Sequence, residues 1–416
     1  MPKYTHLNWH DESFYNDRPT RKKMRDACLQ RVNWPALCAY ASSLNGNTPC
    51  TLLDKSTSGG VHLIRLLDFK GTTNTQWIAR IQLEPSTPET ATALRAEIAA
   101  MELVRSRNGD GARGGTTTEI LVVPHIYGYE ADDANVVGAA FILMELFPGS
   151  SAMDAAGGYD VHRGRVPLEW RRAFYREMAS IQVHLSSIRL PKIGTIVQRS
   201  AENSFEVGPL PGLGGPFSTA TAFFKAWASH ARFRFPRTDA QIQHCARGGP
   251  VEEILQSIHD FPCRLAELAS KISKYDEGPF PLHHPDLYTS NIIVDDSFRV
   301  LGIIDWEGAC SVPWEVVQPP LFLTTLPRAM DDPGNYDAEG RLKDADGVQR
   351  LRDRDEYLGY VQVVEREREF GVDQRLSAVL SDPAAQGLAY ALKVYLDPGK
   401  LGFYCNVLDE FSSSVA

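Results

Sequence analysis

The stretch from Pro281 to Ala309, PLHHPDLYTSNIIVDDSFRVLGIIDWEGA, constrains this chain more than any other. Asn291 to Val294 and Val300 to Ile304 are short apolar runs on either side of DDSFR, the pattern of a β-hairpin. Antiparallel pairing about residue 298 brings Asn291, ahead of one strand, and Asp305, at the end of the other, to one open end. An amide oxygen and a carboxylate suit a hard cation such as Mg2+, which keeps waters and completes its shell with phosphate oxygens. Asp286 stands five residues before Asn291, in a loop that opens HHPD. Its carboxylate can take the proton of an attacking hydroxyl, and His284 can brace the loop by hydrogen bonds. Phosphoryl transfer needs these parts: a base or orienter, metal ligands that bridge phosphates, and little covalent chemistry. Asp286 alone would as readily cap a turn, and Asp305 alone would end a strand. The order of the four residues around a hairpin is what points to chemistry. His283 has no second His at helical or hairpin spacing and reads as structural.

With 416 residues the chain has room for two domains or lobes, each with a core. Its net charge of -9 argues against a general nucleic-acid binder, which needs a basic footprint. Seven scattered Cys without a CxxC read as reduced thiols rather than a disulfide framework or zinc site. MPKYTHLNWHDESFYNDRP lacks an apolar signal core, and no apolar run reaches the roughly 20 residues that span a bilayer. A cytoplasmic protein is expected.

Along the chain, Arg21 to Ser43 has helical spacing and LNGNTP ends it. STSGG then precedes a strand, VHLIRLLDF, with Val61, Leu63 and Arg65 on one face; GTTNT turns into the partner strand QWIARIQL. Thr87 and Pro88 open a helix through ETATALRAEIAAMELVRS. NGDGARGGTTT is a loop, and EILVVPHIYGY and AAFILMELF read as strands. Up to Phe147 the order is strand, strand, helix, strand, strand, which suits a small antiparallel sheet with one helix. Pro148 to Asp160 reads as a linker. Helices are expected over Pro167 to Ile188, Phe223 to Ala231, Val251 to Ser273, Arg352 to Phe370 and Ala384 to Val394, with a Gly/Pro-rich loop region after the first.

HHPDLYTSN with IIDWE closely resembles the catalytic loop and metal-binding strand of the aminoglycoside phosphotransferase family, small-molecule kinases related in fold to protein kinases and choline kinases. The resemblance implies that Asp286 is the catalytic Asp, that Asn291 and Asp305 are the metal ligands, and that His284 braces the loop. Pro285 stands where Gly is often seen, and Trp306 and Glu307 stand where protein kinases carry Phe-Gly. It implies an α+β, two-lobed protein-kinase-like fold. A helical extension over 1–50 would precede a small antiparallel-sheet N-lobe with one helix over 51–147, and a larger, mainly helical C-lobe would fill 148–416. KSTSGG stands where the phosphate-covering loop should, so backbone N–H groups of Ser58, Gly59 and Gly60 would face phosphates. Arg80 occupies the place of the family's phosphate-pairing Lys, with Glu97 as its anchor in preference to Glu102. FILMELFPGS resembles the hinge, whose backbone at Glu145, Leu146 and Phe147 would bond adenine. The resemblance covers Thr51 to Pro320. SIQVHLSSIRLPKIGTI with VGPL resembles members from filamentous fungi, and His184 within it reads as helix packing.

The expected function is Mg2+/ATP-dependent phosphoryl transfer to a hydroxyl, or amine, of a small molecule, with ATP and Mg2+ as cofactors. The alternative is a catalytically inactive kinase-like binding protein, motivated by Arg80 and the imperfect glycine loop. A protein kinase fits less well: Tyr288 stands where Ser/Thr kinases carry Lys, and CSVPWE replaces their APE. The expected partner is a small-molecule acceptor, with no nucleic acid, membrane or obligate protein partner. The acidic stretch Ala329 to Gly347 would attract a cationic amine or serve as a solvated loop, and family membership does not name the acceptor.

Overall fold

Asn33 breaks the first helical stretch in two. Helix α1 runs Pro19–Arg31 and α2 runs Trp34–Leu44. Val32 between them is extended, the Asn33 side chain accepts the Ala36 N–H at 3.2 Å, and Pro35 sits in the first turn of α2. The single helix expected over Arg21 to Ser43 is corrected on this point: apolar spacing carries through the break, and the capping residues impose it.

The computed structural model describes residues 9–70, 75–108, 123–199, 204–236, 238–246, 249–367, 373–397 and 400–413. The NGDGARGGTTT loop after Asn108, the start of the EILVVPHIYGY strand and Phe370 lie outside them. The chain forms two compact units, one of Met1–Pro167 with Thr289–Glu307 and one of Leu168–Tyr288 with Gly308–Ala416.

The first unit is built on an antiparallel sheet of β1 (Cys50–Ser58), β2 (His62–Phe69), β3 (Thr75–Gln82), β4 (Ile126–Glu130) and β5 (Phe141–Glu145), in the order β1-β2-β3-β5-β4. Helix α3 (Pro88–Asn108) links β3 to β4. Strand β1 adds to the four expected. Its polar DKSTS end and a register shift between Leu52 and Ser56 hide the two-residue alternation. Alternation in β3 sends Trp77, Ala79 and Ile81 to a core with Cys28, Leu37 and Ala41 of the first two helices. Ile78 points the other way, packing with Ile142, Met144 and Ala91, Leu94 and Ile98 of α3. Each Leu or Ile buried this way contributes about 1.5–3 kcal/mol. Arg80 has the parity of Ile78 and so faces α3.

The same unit holds the hairpin of the Pro281 to Ala309 stretch, with strands Ile292–Val294 and Val300–Ile303, each one residue shorter than expected. Asp295 Oδ1 accepts the N–H groups of Ser297 and Arg299, each at 2.9 Å, and Phe298 takes the left-handed conformation at φ 60°. Ser150–Ser151, inside the expected linker, pairs with this hairpin as a third strand.

The second unit is mainly helical. The expected helices appear as Leu168–Ser187, Ala220–His230, Val251–Ile272, Ala345–Glu367 and Pro383–Val394. Asp239–Cys245, Arg375–Ser381 and Tyr404–Ser413 add to them. The Gly/Pro-rich region is not simply a loop: Gly194–Arg199 and Ser204–Gly208 pair within a sheet of short strands. Phe224, Ile258, Phe261, Leu265, Phe280 and Leu388 anchor the helical core. Among the described residues no helix is long and apolar enough to cross a membrane, and all seven cysteines are free.

Candidate active site

Arg80 and Glu97 are both nearly sealed from solvent, 6% and 3% exposed. Arg80 Nη1 donates to Glu97 Oε1, so the helix partner is Glu97 and not Glu102. Its Nη2 lies 3.2 Å from His62 Nδ1, 3.4 Å from Asp305 Oδ1 and 4.0 Å from Glu307 Oε2. Burial opposes the guanidinium charge, but the carboxylates of Glu97, Asp305 and Glu307 outweigh it and hold the Arg80 pKa above its ordinary range. Burial, then the neighbouring Arg80 charge, lowers the His62 pKa to about 3. His62 is therefore neutral, its bare Nδ1 accepting from Arg80. Sequence reasoning missed His62 and the part of Glu307, because only the β2–β3 register reveals that His62 is near.

Asp305 sits at φ 61°, in the left-handed region that Asp tolerates better than most residues. The chain after it is locked, because the fully buried Trp306 donates its indole N–H to the Ile303 carbonyl at 2.9 Å. The Asp305 carboxylate itself is about half exposed, at 47%. At the facing strand end, the Asn291 carbonyl accepts the Ile304 N–H at 2.9 Å and its side-chain oxygen accepts the Ser290 hydroxyl at 3.3 Å. Two oxygen donors thus flank the hairpin's open end. That donor set fits Mg2+, with phosphate and water left to fill the shell.

In the second unit, His284 is buried and its Nδ1 accepts the Asp286 N–H at 3.2 Å. Buried Leu287 fixes the loop further by accepting the Leu321 N–H at 2.9 Å. The Asp286 carboxylate is exposed. Lys393 donates to the Pro285 carbonyl at 3.1 Å. Burial lowers the Lys393 pKa, against the pull of Asp286 and Asp397. Burial and Lys393 together lower His283 to about 4, so it is neutral, in keeping with a structural part. Lys393 carries no signal in the sequence, since more than a hundred residues separate it from Pro285.

At the end of β5 the Glu145 N–H donates to the His125 carbonyl at 2.8 Å, and its carboxylate accepts the His125 N–H at 3.0 Å. The Phe147 ring fills the space over Gly302, where a Cβ would lie 2.1 Å from the ring. Ser58 is 3% exposed, and its N–H points at His10 Nδ1 at 3.3 Å. The Gly59 N–H donates to the His62 carbonyl at 3.0 Å. A Cβ at Gly59 or Gly60 would meet nothing within 4 Å, so the tip of the hairpin is open.

The model of the phosphotransferase enzyme family matches residues 69–314. A comparison with curated proteins finds no match. Among solved structures, the chain is similar to an ethanolamine kinase of Plasmodium vivax, at 11% identity over 98% of this chain and 96% of that one, with a TM-score of 0.42. It is also similar to a macrolide 2′-phosphotransferase of Brachybacterium faecium, at 13% identity over 88% and 98%, with a TM-score of 0.39. These are distant likenesses, and the assignment rests on the family match. That match runs from the end of β2 through the Asp286 loop and the whole Asn291–Asp305 hairpin, and by it the chain, α+β in its build, belongs to the phosphotransferase enzyme family.

Proposed function

We propose that the protein transfers the terminal phosphoryl group of ATP, with Mg2+, to a hydroxyl or amine of a small molecule. One observation carries this reading: a sealed Arg80–Glu97 pair whose second guanidinium nitrogen, shared with His62, faces Asp305 at 3.4 Å. A buried ion pair is poor value for stability alone, whereas a fixed cation beside an exposed carboxylate is what a polyphosphate and its metal require.

Arg80 would pair with phosphate oxygens, and Glu97 holds it in place. Mg2+, when bound, would be held by Asn291 and Asp305 and would offset charge on the phosphates. Gly59 and Gly60 would cover the phosphates from the hairpin tip, with Ser58 at its base. Since His125 occupies the Glu145 N–H, a purine edge would use the backbone beyond it, through Leu146 and Phe147. Asp286 would orient the acceptor hydroxyl from the loop that His284 braces. The acceptor oxygen bonds to the terminal phosphorus, the bond to the ADP oxygen breaks, and the proton passes to Asp286. Dependence on ATP and seven free thiols fit a cytoplasmic enzyme.

Thermal-shift titration with ATP, with and without Mg2+, tests the nucleotide site on the native chain and on Asp305→Asn. At 100-fold over Kd, binding stabilises by about 2.7 kcal/mol. A Mg2+-dependent upward shift that Asp305→Asn loses is expected. An ADP-release screen across small alcohols and amines then identifies the acceptor. No shift in either chain overturns the nucleotide reading. A shift with no ADP release under any acceptor favours the one rival that Arg80 supports, a nucleotide-binding protein without turnover.

A further inference from the structure

The groups that grip the base of the glycine hairpin lie outside the family-matched residues. Tyr15, 1% exposed, places its hydroxyl 2.8 Å from Ser58 Oγ. His10 Nδ1 accepts the Ser58 N–H at 3.3 Å and lies 3.1 Å from Thr57 Oγ1. The His10 N–H donates to the Ser56 carbonyl at 3.3 Å. Both side chains are themselves held. The His10 ring stacks on Phe14 at 3.4 Å, and the Arg25 guanidinium lies 4.1 Å over the Tyr15 ring. Arg25 is in turn fixed to Glu12 at 2.8 Å and Asp26 at 2.6 Å.

A turn with two adjacent glycines has many backbone conformations open to it. Its average position over a ligand depends on how firmly its base is set. Here the last residue of β1 has both its N–H and its hydroxyl taken by the N-terminal segment, while the two glycines beyond it have open space around them and Gly59 is bonded only within the turn, to the His62 carbonyl. A segment that only covered the exposed edge of β1 would need the backbone bond to Ser56 and nothing at Ser58.

We propose that residues 9–18 form a strap that sets the glycine hairpin over the nucleotide phosphates, with Tyr15 and His10 as positioning residues acting through Ser58. The proposal rests on the ATP reading above. It is tested by calorimetric titration of the full chain with Mg2+·AMP-PNP and, separately, with adenosine, which lacks phosphates. Tyr15→Phe keeps the ring and its Arg25 contact. It is expected to weaken AMP-PNP binding about fivefold, the scale of one hydrogen bond, and to leave adenosine within about twofold. Ser58→Ala should reproduce that loss, and the double variant should be no weaker than either single one. His10→Ala should show the same selectivity for the phosphate-bearing ligand. Equal weakening of both ligands, or of neither, in Tyr15→Phe and His10→Ala overturns the strap and leaves an edge cover. Failure of the native chain to bind AMP-PNP at all overturns the ATP reading, and the strap with it.

Discussion

Two regions of the molecule hold their charges in opposite ways. Arg80 and Glu97 are buried and paired with each other, so they stand in place whether or not a ligand is present. Asp286 is exposed, on a loop whose backbone is fixed through His284, Leu287 and Lys393. The first arrangement spends stability on a preset cation. The second sets a carboxylate at the surface. Structure and chemistry should therefore separate under mutation.

The largest effect expected is on turnover. Asp286→Ala should lower kcat by about 10²–10⁴-fold while leaving the unfolding midpoint unchanged. Near-native turnover would remove Asp286 from the mechanism. Glu97→Ala should do the reverse in emphasis. It strands a buried guanidinium and should cost about 3–5 kcal/mol in urea unfolding. If Glu97→Ala unfolds like the native chain, Arg80 is not held as described. Gly302→Ala drives a methyl into the Phe147 ring and should cost about 1–3 kcal/mol, with a weaker nucleotide site if the hinge shifts. The last effect is confined to acid. His62 has a folded pKa of about 3, below its ordinary 6.5, so the unfolded chain takes up the proton first. The stability from keeping His62 neutral is complete above pH 6.5 and is lost as pH falls toward 3. His62→Gln should unfold less steeply with acid than the native chain over that window, and parallel curves would remove His62 from the account.

The hairpin was legible because its signals are local: two apolar runs, a polar turn and fixed spacings on either side. The Arg80–Glu97 contact was legible through the resemblance, which put Arg80 in the place of a phosphate-pairing Lys, while the helix period favoured Glu97 over Glu102 as its anchor. Strand β1 was not, since its bulge and polar end remove the alternation that marks a strand. The split at Asn33 required weighing one capping residue against an unbroken apolar period. His62, Lys393 and the Tyr15–Ser58 contact were hidden for another reason. Each depends on pairing between stretches far apart in the chain, and nothing in the sequence around them differs from an ordinary surface.

The order β1-β2-β3-β5-β4 bears on how the protein can be cut. The family match opens at Phe69, the last residue of β2, so β1 and all of β2 but that residue stand outside it. A fragment trimmed to those limits would lose the helices that cover one face of the sheet. It would also turn β3, an interior strand with eight partners in β2, into a raw edge inviting copies of itself. Recognisable ancestry and the smallest unit able to fold thus have different borders here, and a fragment chosen by the first would be expected to precipitate.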